Sequence, residues 1–191
     1  PEDGVSNENL LSQAIITPSM RATQKYFWVV MAMFVAQVLL GMVTAHYAVE
    51  GQDFYGFPLA EYLPYAVSRT WHTQLAVLWI ATAWLATGLY FAPLISGHEP
   101  RFQRIGVNFL FVCLLIIVIG SFAGEWLGVK QYFDSMTLNF WFGHQGYEYV
   151  DLGRFWQSFL FVGLIVWLVL MLRALMPALR AGNQKSLLFL L

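Results

Sequence analysis

Charge is scarce in this chain of 191 residues. Charged residues make up 11% of it, ten basic and eleven acidic, whereas a soluble domain carries roughly a quarter. The net charge is −1 and no run of basic residues occurs, so nothing in the sequence favours nucleic acid as a partner. Cysteine is equally scarce. Cys113 stands alone, which excludes a disulfide within the chain and a cysteine metal cluster.

Apolar residues are abundant instead. They make up 59% of the chain, which includes eight Trp and sixteen Phe. The apolar core of a bilayer is crossed by about 20 helical residues, and four runs approach or reach that length. We predict helix A over residues 26–47, helix B over 71–94, helix C over 105–122 and helix D over 155–175. The sequence therefore predicts an all-α integral membrane protein.

The distribution of basic residues predicts the orientation. Seven Lys or Arg lie by the helix ends on the side of the N-terminus, and three lie on the opposite side. Because basic residues concentrate in cytoplasmic loops, we expect a cytoplasmic flank at 1–25 and a cytoplasmic loop within 176–191. The last six residues, SLLFLL, look like the start of a truncated fifth helix, and the sequence begins without Met. We interpret the chain as a piece of a larger membrane protein.

Two polar side chains, Arg69 and His72, stand at the start of helix B. A neutral imidazole at this depth can ligate a haem iron, and a guanidinium three residues earlier can bind the haem propionates. The alternative is an interfacial pair that extends toward lipid headgroups. Small residues follow along the helix and allow either a macrocycle or another helix to approach closely: Ala76, Ala81, Thr82, Ala83, Ala86 and Gly88.

Two segments of the sequence resemble a known family. Residues 68–93, SRTWHTQLAVLWIATAWLATGLYFAP, begin with R-x-x-H-x-Q-L and end with G-L-Y-F-A-P. Residues 139–157, NFWFGHQGYEYVDLGRFWQ, lead into helix D. Both resemble the quinol-dependent, single-chain nitric oxide reductases of bacteria, which are members of the haem–copper oxidase superfamily. The resemblance extends over essentially the whole chain.

This resemblance implies a twelve-helix bundle in the bacterial inner membrane, to which the chain contributes four helices and the start of a fifth. His72 would be an axial ligand of the low-spin haem b, and Arg69 would bind its propionates. The high-spin haem b3 and the non-haem iron, where nitric oxide becomes nitrous oxide, would lie on helices outside this chain. No catalytic residue is therefore expected within it. Its partners would be quinol, nitric oxide, membrane lipid and the remaining helices.

A group of three residues lies at the end of helix A on the predicted outer side. His46 and Glu50 are four residues apart, so they face the same way if the helix continues by one turn. The resemblance implies a quinol site here. The histidine and the carboxylate would accept the quinol protons, and Phe54 would stack on the quinone ring. The alternative is an ordinary helix end with a solvated glutamate.

A second polar group lies between helices C and D. The resemblance implies that Glu148 ligates a calcium ion and that Asp151 takes part in proton transfer. The alternative is that both acids favour the N-terminal dipole of helix D. Glu125 is expected either to pair with an arginine or to be solvated, and we assign no role to His144 or to His98.

Two other functions fit the same residues. A small four-helix cytochrome b would use His46 and His72 as the two ligands of one haem. A non-redox transporter or assembly subunit would bind no chromophore at all. The scarcity of charge inside the four apolar runs argues against an ion pathway through them.

Overall fold

The structure is a computed structural model that describes residues 15–144 and 151–180. The chain forms helices in the order α1 (Pro18–Val49), α2 (Leu59–Tyr62), α3 (Tyr65–Ser96), α4 (Gln103–Val129), α5 (Met136–Phe142) and α6 (Arg154–Arg180). Four of them, α1, α3, α4 and α6, are long and apolar enough to cross a membrane. No strand occurs in either described range. The predicted all-α class with four membrane helices is confirmed.

Each predicted membrane helix lies within an observed one but is shorter than it. The helix α1 begins at Pro18 rather than at residue 26, because Thr17 caps it by accepting a hydrogen bond from the amide of Met20, and proline fits the first turn. At the other end, α4 continues to Val129 rather than ending at residue 122. Hydropathy identifies only the apolar part of each helix, which suits the lipid core. Capping and packing extend the helical backbone beyond that part. The proposed fifth helix at 186–191 lies outside the described residues.

The helix α3 packs against α1, α4 and α6. One apolar core forms where α1, α3, α4 and α6 meet, and the Tyr26 hydroxyl donates a hydrogen bond of 2.6 Å to the Val107 carbonyl there. In the second half of α3, Gly88 lies against Met171 and Trp167 of α6, with 2.6 Å from an ideal Cβ to the Met171 sulfur. Small residues in this half of α3 therefore serve helix packing.

Large apolar side chains cover the outward faces of the four long helices. Among the exposed ones are Trp28, Met31, Phe34, Val38, Trp84, Phe109, Ile119, Phe161 and Leu164. Apolar surface on this scale is unfavourable in water, which agrees with a multi-pass membrane protein. Lipid or further helices would cover these faces.

Candidate functional site

His72 lies in α3 about two turns after its first residue, Tyr65, and so deeper than the sequence predicts. Its Nδ1 is 2.8 Å from the carbonyl oxygen of Gln37 in α1, and the residue is partly buried. Since a carbonyl oxygen only accepts hydrogen bonds, Nδ1 carries the proton and Nε2 keeps its lone pair. This is the tautomer in which histidine ligates a metal through Nε2 while a backbone carbonyl fixes the ring.

Gly41 makes this approach possible. An ideal Cβ on Gly41 would lie 2.7 Å from Cε1 and 3.0 Å from Nδ1 of His72, closer than a side chain tolerates. Gly41 follows Gln37 by four residues. It therefore lies about one helical turn later, directly beside the Gln37 carbonyl that His72 reaches. The absence of a side chain at this one position lets the imidazole lie against the backbone of α1.

Side-chain hydrogen bonds join α1 to α3 on both sides of His72. The Trp79 indole donates a bond of 2.6 Å to the Gln37 side-chain oxygen, and the hydroxyls of Thr44 and Ser68 are 2.7 Å apart. Ser68 also donates to the carbonyl of Leu40 at 3.3 Å. These polar groups satisfy one another inside the bundle, as the bilayer requires. These bonds keep the Gln37 carbonyl of α1 beside His72 of α3.

The three residues predicted to bind quinol lie together. His46 Nδ1 is 3.2 Å from a carboxylate oxygen of Glu50, and the two side chains are 33% and 43% exposed. The ring of Phe54 stacks on the His46 imidazole, with centroids 4.0 Å apart and planes 8° from parallel. Tyr55 packs edge-on against the same imidazole, with centroids 5.9 Å apart. Phe54 therefore contacts His46 through one face, a contact that the sequence pattern does not indicate.

A turn after α1 creates this contact. The amides of Glu50 and Gly51 both donate to the His46 carbonyl, at 2.9 and 3.3 Å. Gly51 has a φ of 99°, a left-handed conformation that side chains strongly disfavour. The Phe54 amide then bonds to the Gly51 carbonyl at 3.3 Å. Because glycine permits the reversal, the chain folds back and Phe54 reaches the last turn of the helix.

His46 and His72 lie at neighbouring levels of the bundle but on different sides of α1. Each residue of a helix adds about 100° and 1.5 Å. His46 follows Gly41 by five residues, so it points about 140° away from the side that meets His72, about 7.5 Å further along the axis. This placement disfavours a single haem ligated by both histidines.

Arg69 lies one turn before His72 on α3 and is exposed. Its carbonyl accepts a hydrogen bond of 3.2 Å from the Thr73 hydroxyl. Its role in propionate binding stays a prediction.

A buried polar cluster that the sequence did not predict lies at the same end. Ligand atoms of Glu125, His144 and Asp151 all lie within 4.8 Å of one another. Nδ1 of His144 is 3.4 Å from a carboxylate oxygen of Asp151. The hydrogen bond to Asp151 raises the pKa of the His144 imidazole above its usual value, against the lowering effect of partial burial, and the negative charge of Glu125 raises it further.

Glu125 corrects one expectation. Its exposed fraction is 1%, so the solvated alternative is wrong. The residue lies inside α4, which continues beyond the predicted end of helix C at residue 122. A carboxylate four residues before the end of an apolar helix is the only sequence signal for this cluster. This carboxylate indicates a buried site only once the true end of α4 is known.

Two remaining predictions have different outcomes. Glu148, the predicted calcium ligand, lies outside the described residues, and its role stays a prediction. His98 is exposed in the loop between α3 and α4, where its amide bonds to the Ser96 hydroxyl at 3.1 Å. This exposure makes His98 a suitable control position for changes to the other histidines.

Comparison with known proteins decides the family. Residues 21–191 match the family described as "Cytochrome C and Quinol oxidase polypeptide I". The chain belongs to this family. Membership confirms the haem–copper oxidase superfamily that the sequence resembles, and it implies haem cofactors and a redox role.

One curated relative of this oxidase-family chain is a subunit of nitric oxide reductase from Stutzerimonas stutzeri. The two are 32% identical over 101 residues, which is 53% of this chain and 19% of the relative. The aligned part therefore spans about a fifth of that protein. Most of the relative lies beyond this alignment.

Gly41 gives the first testable prediction for this member of the oxidase family. In the full-length protein, Gly41→Ala should displace the His72 ring from the Gln37 carbonyl, since the new methyl would meet the imidazole at 2.7 Å. Where His72 ligates a haem, as we propose below, loss of this outer-shell partner should lower the affinity for the haem by about 10–100-fold. A haem-retention titration followed by absorption measures this loss. Gly163→Ala is the control, because no atom of the described residues lies within 4 Å of a Cβ at that position. Equal retention by both variants would contradict the role of Gly41.

Proposed function

We propose that this chain contributes core helices to a quinol-dependent nitric oxide reductase of the bacterial inner membrane. In this proposal the protein takes electrons from quinol by way of a low-spin haem b. It reduces nitric oxide to nitrous oxide at a haem b3 and non-haem iron centre outside this chain. The N-terminal flank and the tail of the segment would be cytoplasmic. Family membership and the relative from Stutzerimonas stutzeri support the reaction class.

The observation that carries the proposal is the orientation of His72. Its Nδ1 donates to the Gln37 carbonyl, and Gly41 leaves room for the ring, so Nε2 is the nitrogen that would hold a haem iron. The residues present therefore fit a haem. When bound, a low-spin haem carries one electron at a time. Arg69, one turn earlier on α3, would bind its propionates.

His46 and Glu50 would remove the quinol protons. A quinol loses two protons as it loses two electrons, and these two groups would take up the protons in turn and release each one to water. Nε2 of His46 would accept a proton from a quinol hydroxyl while Nδ1 passes one to Glu50, whose carboxylate is 3.2 Å away. Both side chains are partly exposed, so the proton can continue to water. Phe54 and Tyr55 would form the aromatic wall of the site.

Calcium and the role of Asp151 are further parts of this proposal. Glu148 would ligate calcium together with haem propionates, since a hard cation prefers oxygen ligands. Asp151 would take part in proton transfer, which its 7% exposure and its contact with His144 support.

The test is an assay of the full-length protein purified in detergent. We expect quinol-driven consumption of nitric oxide with release of nitrous oxide, together with a b-type low-spin signal in the reduced-minus-oxidised spectrum. Oxygen consumption without nitric oxide consumption would replace the proposal with an oxidase of the same family. A protein with no haem signal would overturn both the reductase and the small cytochrome, and it would favour the transporter or assembly subunit.

A further inference from the structure

The cluster of Glu125, His144 and Asp151 has the donor set of a metal site. Two carboxylates and one imidazole place their ligand atoms within 4.8 Å of one another. In a tetrahedral zinc site, ligand atoms about 2.0–2.2 Å from the metal lie about 3.3–3.5 Å apart. The 3.4 Å between His144 and Asp151 already matches this spacing. The ligand atom of Glu125 lies within 4.8 Å of both.

An unsatisfied carboxylate oxygen indicates that a ligand belongs there. Glu125 is 1% exposed, and its Oε2 is fully buried without a hydrogen-bond partner among residues 15–144 and 151–180. A buried carboxylate oxygen without a partner is unfavourable, because burial removes its water and returns nothing. A cation bound among the three residues would satisfy it.

The backbone around the cluster is arranged so that the three ligands meet. His144 lies against α4 at Gly128, where an ideal Cβ would be 2.8 Å from the imidazole Cδ2. The amide of His144 bonds to the Asn139 side chain at 3.2 Å. The Trp156 indole of α6 donates to the Phe142 carbonyl at 3.0 Å. Contacts from α4, α5 and α6 therefore position the ligands.

We propose that Glu125, His144 and Asp151 bind a first-row divalent transition-metal ion, for which Zn²⁺ is the probe. Three protein ligands leave a fourth position for water. The imidazole nitrogen favours zinc over calcium and magnesium, which take oxygen ligands almost exclusively. The proposed site stands whether or not the protein reduces nitric oxide.

The test measures zinc bound by the full-length protein. After treatment with a chelator, the protein is dialysed against Zn²⁺ and its bound zinc is determined by elemental analysis. We expect the wild type to bind one zinc ion more than Glu125→Gln and one more than His144→Gln. Two exposed residues of the same types provide matched controls, Glu61→Gln and His98→Gln, which should bind as the wild type does. Equal binding by all five proteins would overturn the proposal.

Competition and spectroscopy test the donor set without relying on a variant that folds. A hundredfold excess of Ca²⁺ should leave the zinc bound, since calcium does not favour an imidazole ligand. Displacement of the zinc by that excess would mean an oxygen-only site and would overturn the assignment of His144. X-ray absorption at the zinc edge of the wild type should show imidazole scattering. A spectrum without it would overturn the assignment as well.

Discussion

Replacing His72 with alanine should remove the low-spin b-type signal from the reduced-minus-oxidised spectrum of the full-length protein. Quinol-driven consumption of nitric oxide should fall by more than about 100-fold, since losing a ligand costs more than the 10–100-fold caused by losing an outer-shell partner. The fold should persist, because the Gln37 carbonyl keeps its bond within α1 and the hydrogen bonds of Trp79 and Thr44 remain. Signals from haem bound elsewhere in the protein should be unchanged.

Two controls separate ligation from a general disturbance of the bundle. His98→Ala removes an exposed imidazole from the loop after α3 and should leave the spectrum and the rate as in the wild type. Imidazole added to the His72→Ala protein should restore part of the low-spin signal, since the deleted ring leaves a space of its own shape beside Gly41. A low-spin signal that survives in His72→Ala would place the ligand elsewhere and would overturn the central assignment.

Hydropathy predicted the membrane helices well because lipid imposes one strong requirement on them. A run of apolar residues long enough to cross the bilayer has few alternatives to a helix. The ends of the helices follow other rules. Thr17 and Pro18 start α1 by capping. They lie in a polar stretch, where hydropathy does not indicate a membrane helix. The short helices α2 and α5 lie in loops, where no strong period of apolar residues marks them.

Contacts between helices explain what the sequence could not predict. The spacing of His46 and Glu50 indicates a shared helix face correctly, since that is a local property of one helix. The bond from His72 to the Gln37 carbonyl joins residues 35 apart, and it depends on Gly41 being the residue that faces the ring. No period or short motif encodes such a pairing, because it depends on how two helices pack.

The buried cluster of Glu125, His144 and Asp151 is harder still to predict from the sequence, because it also depends on how separate elements pack. Glu125 comes from α4, whereas His144 and Asp151 come from the connection between α5 and α6. In the sequence, Glu125 looks like a carboxylate beyond the end of a membrane helix, and such groups are usually solvated. Only the longer α4 and the close approach of His144 to Gly128 place it inside the protein.

The quinol site should be separable from the rest of the protein by kinetics. We expect Glu50→Gln and His46→Gln each to lower the quinol-driven rate by about 100-fold, the low end of what a positioned acid or base contributes. Glu50→Gln keeps the shape of the side chain but removes the carboxylate that would accept the proton, and His46→Gln removes the imidazole that would pass it on. Phe54→Leu removes the ring that stacks on His46 and should raise the KM for quinol more than it lowers kcat.

A chemical reductant that delivers electrons without quinol provides the decisive comparison. With it, the Glu50→Gln and His46→Gln proteins should consume nitric oxide at the wild-type rate, because His72 and Gly41 lie on a different side of α1 and keep their contacts. Glu61→Gln, an exposed carboxylate on the same side of the membrane, should behave as the wild type with either donor. Equal losses with quinol and with the chemical reductant would mean that these residues support the bundle or a later step. Unchanged quinol kinetics would mean that quinol binds elsewhere.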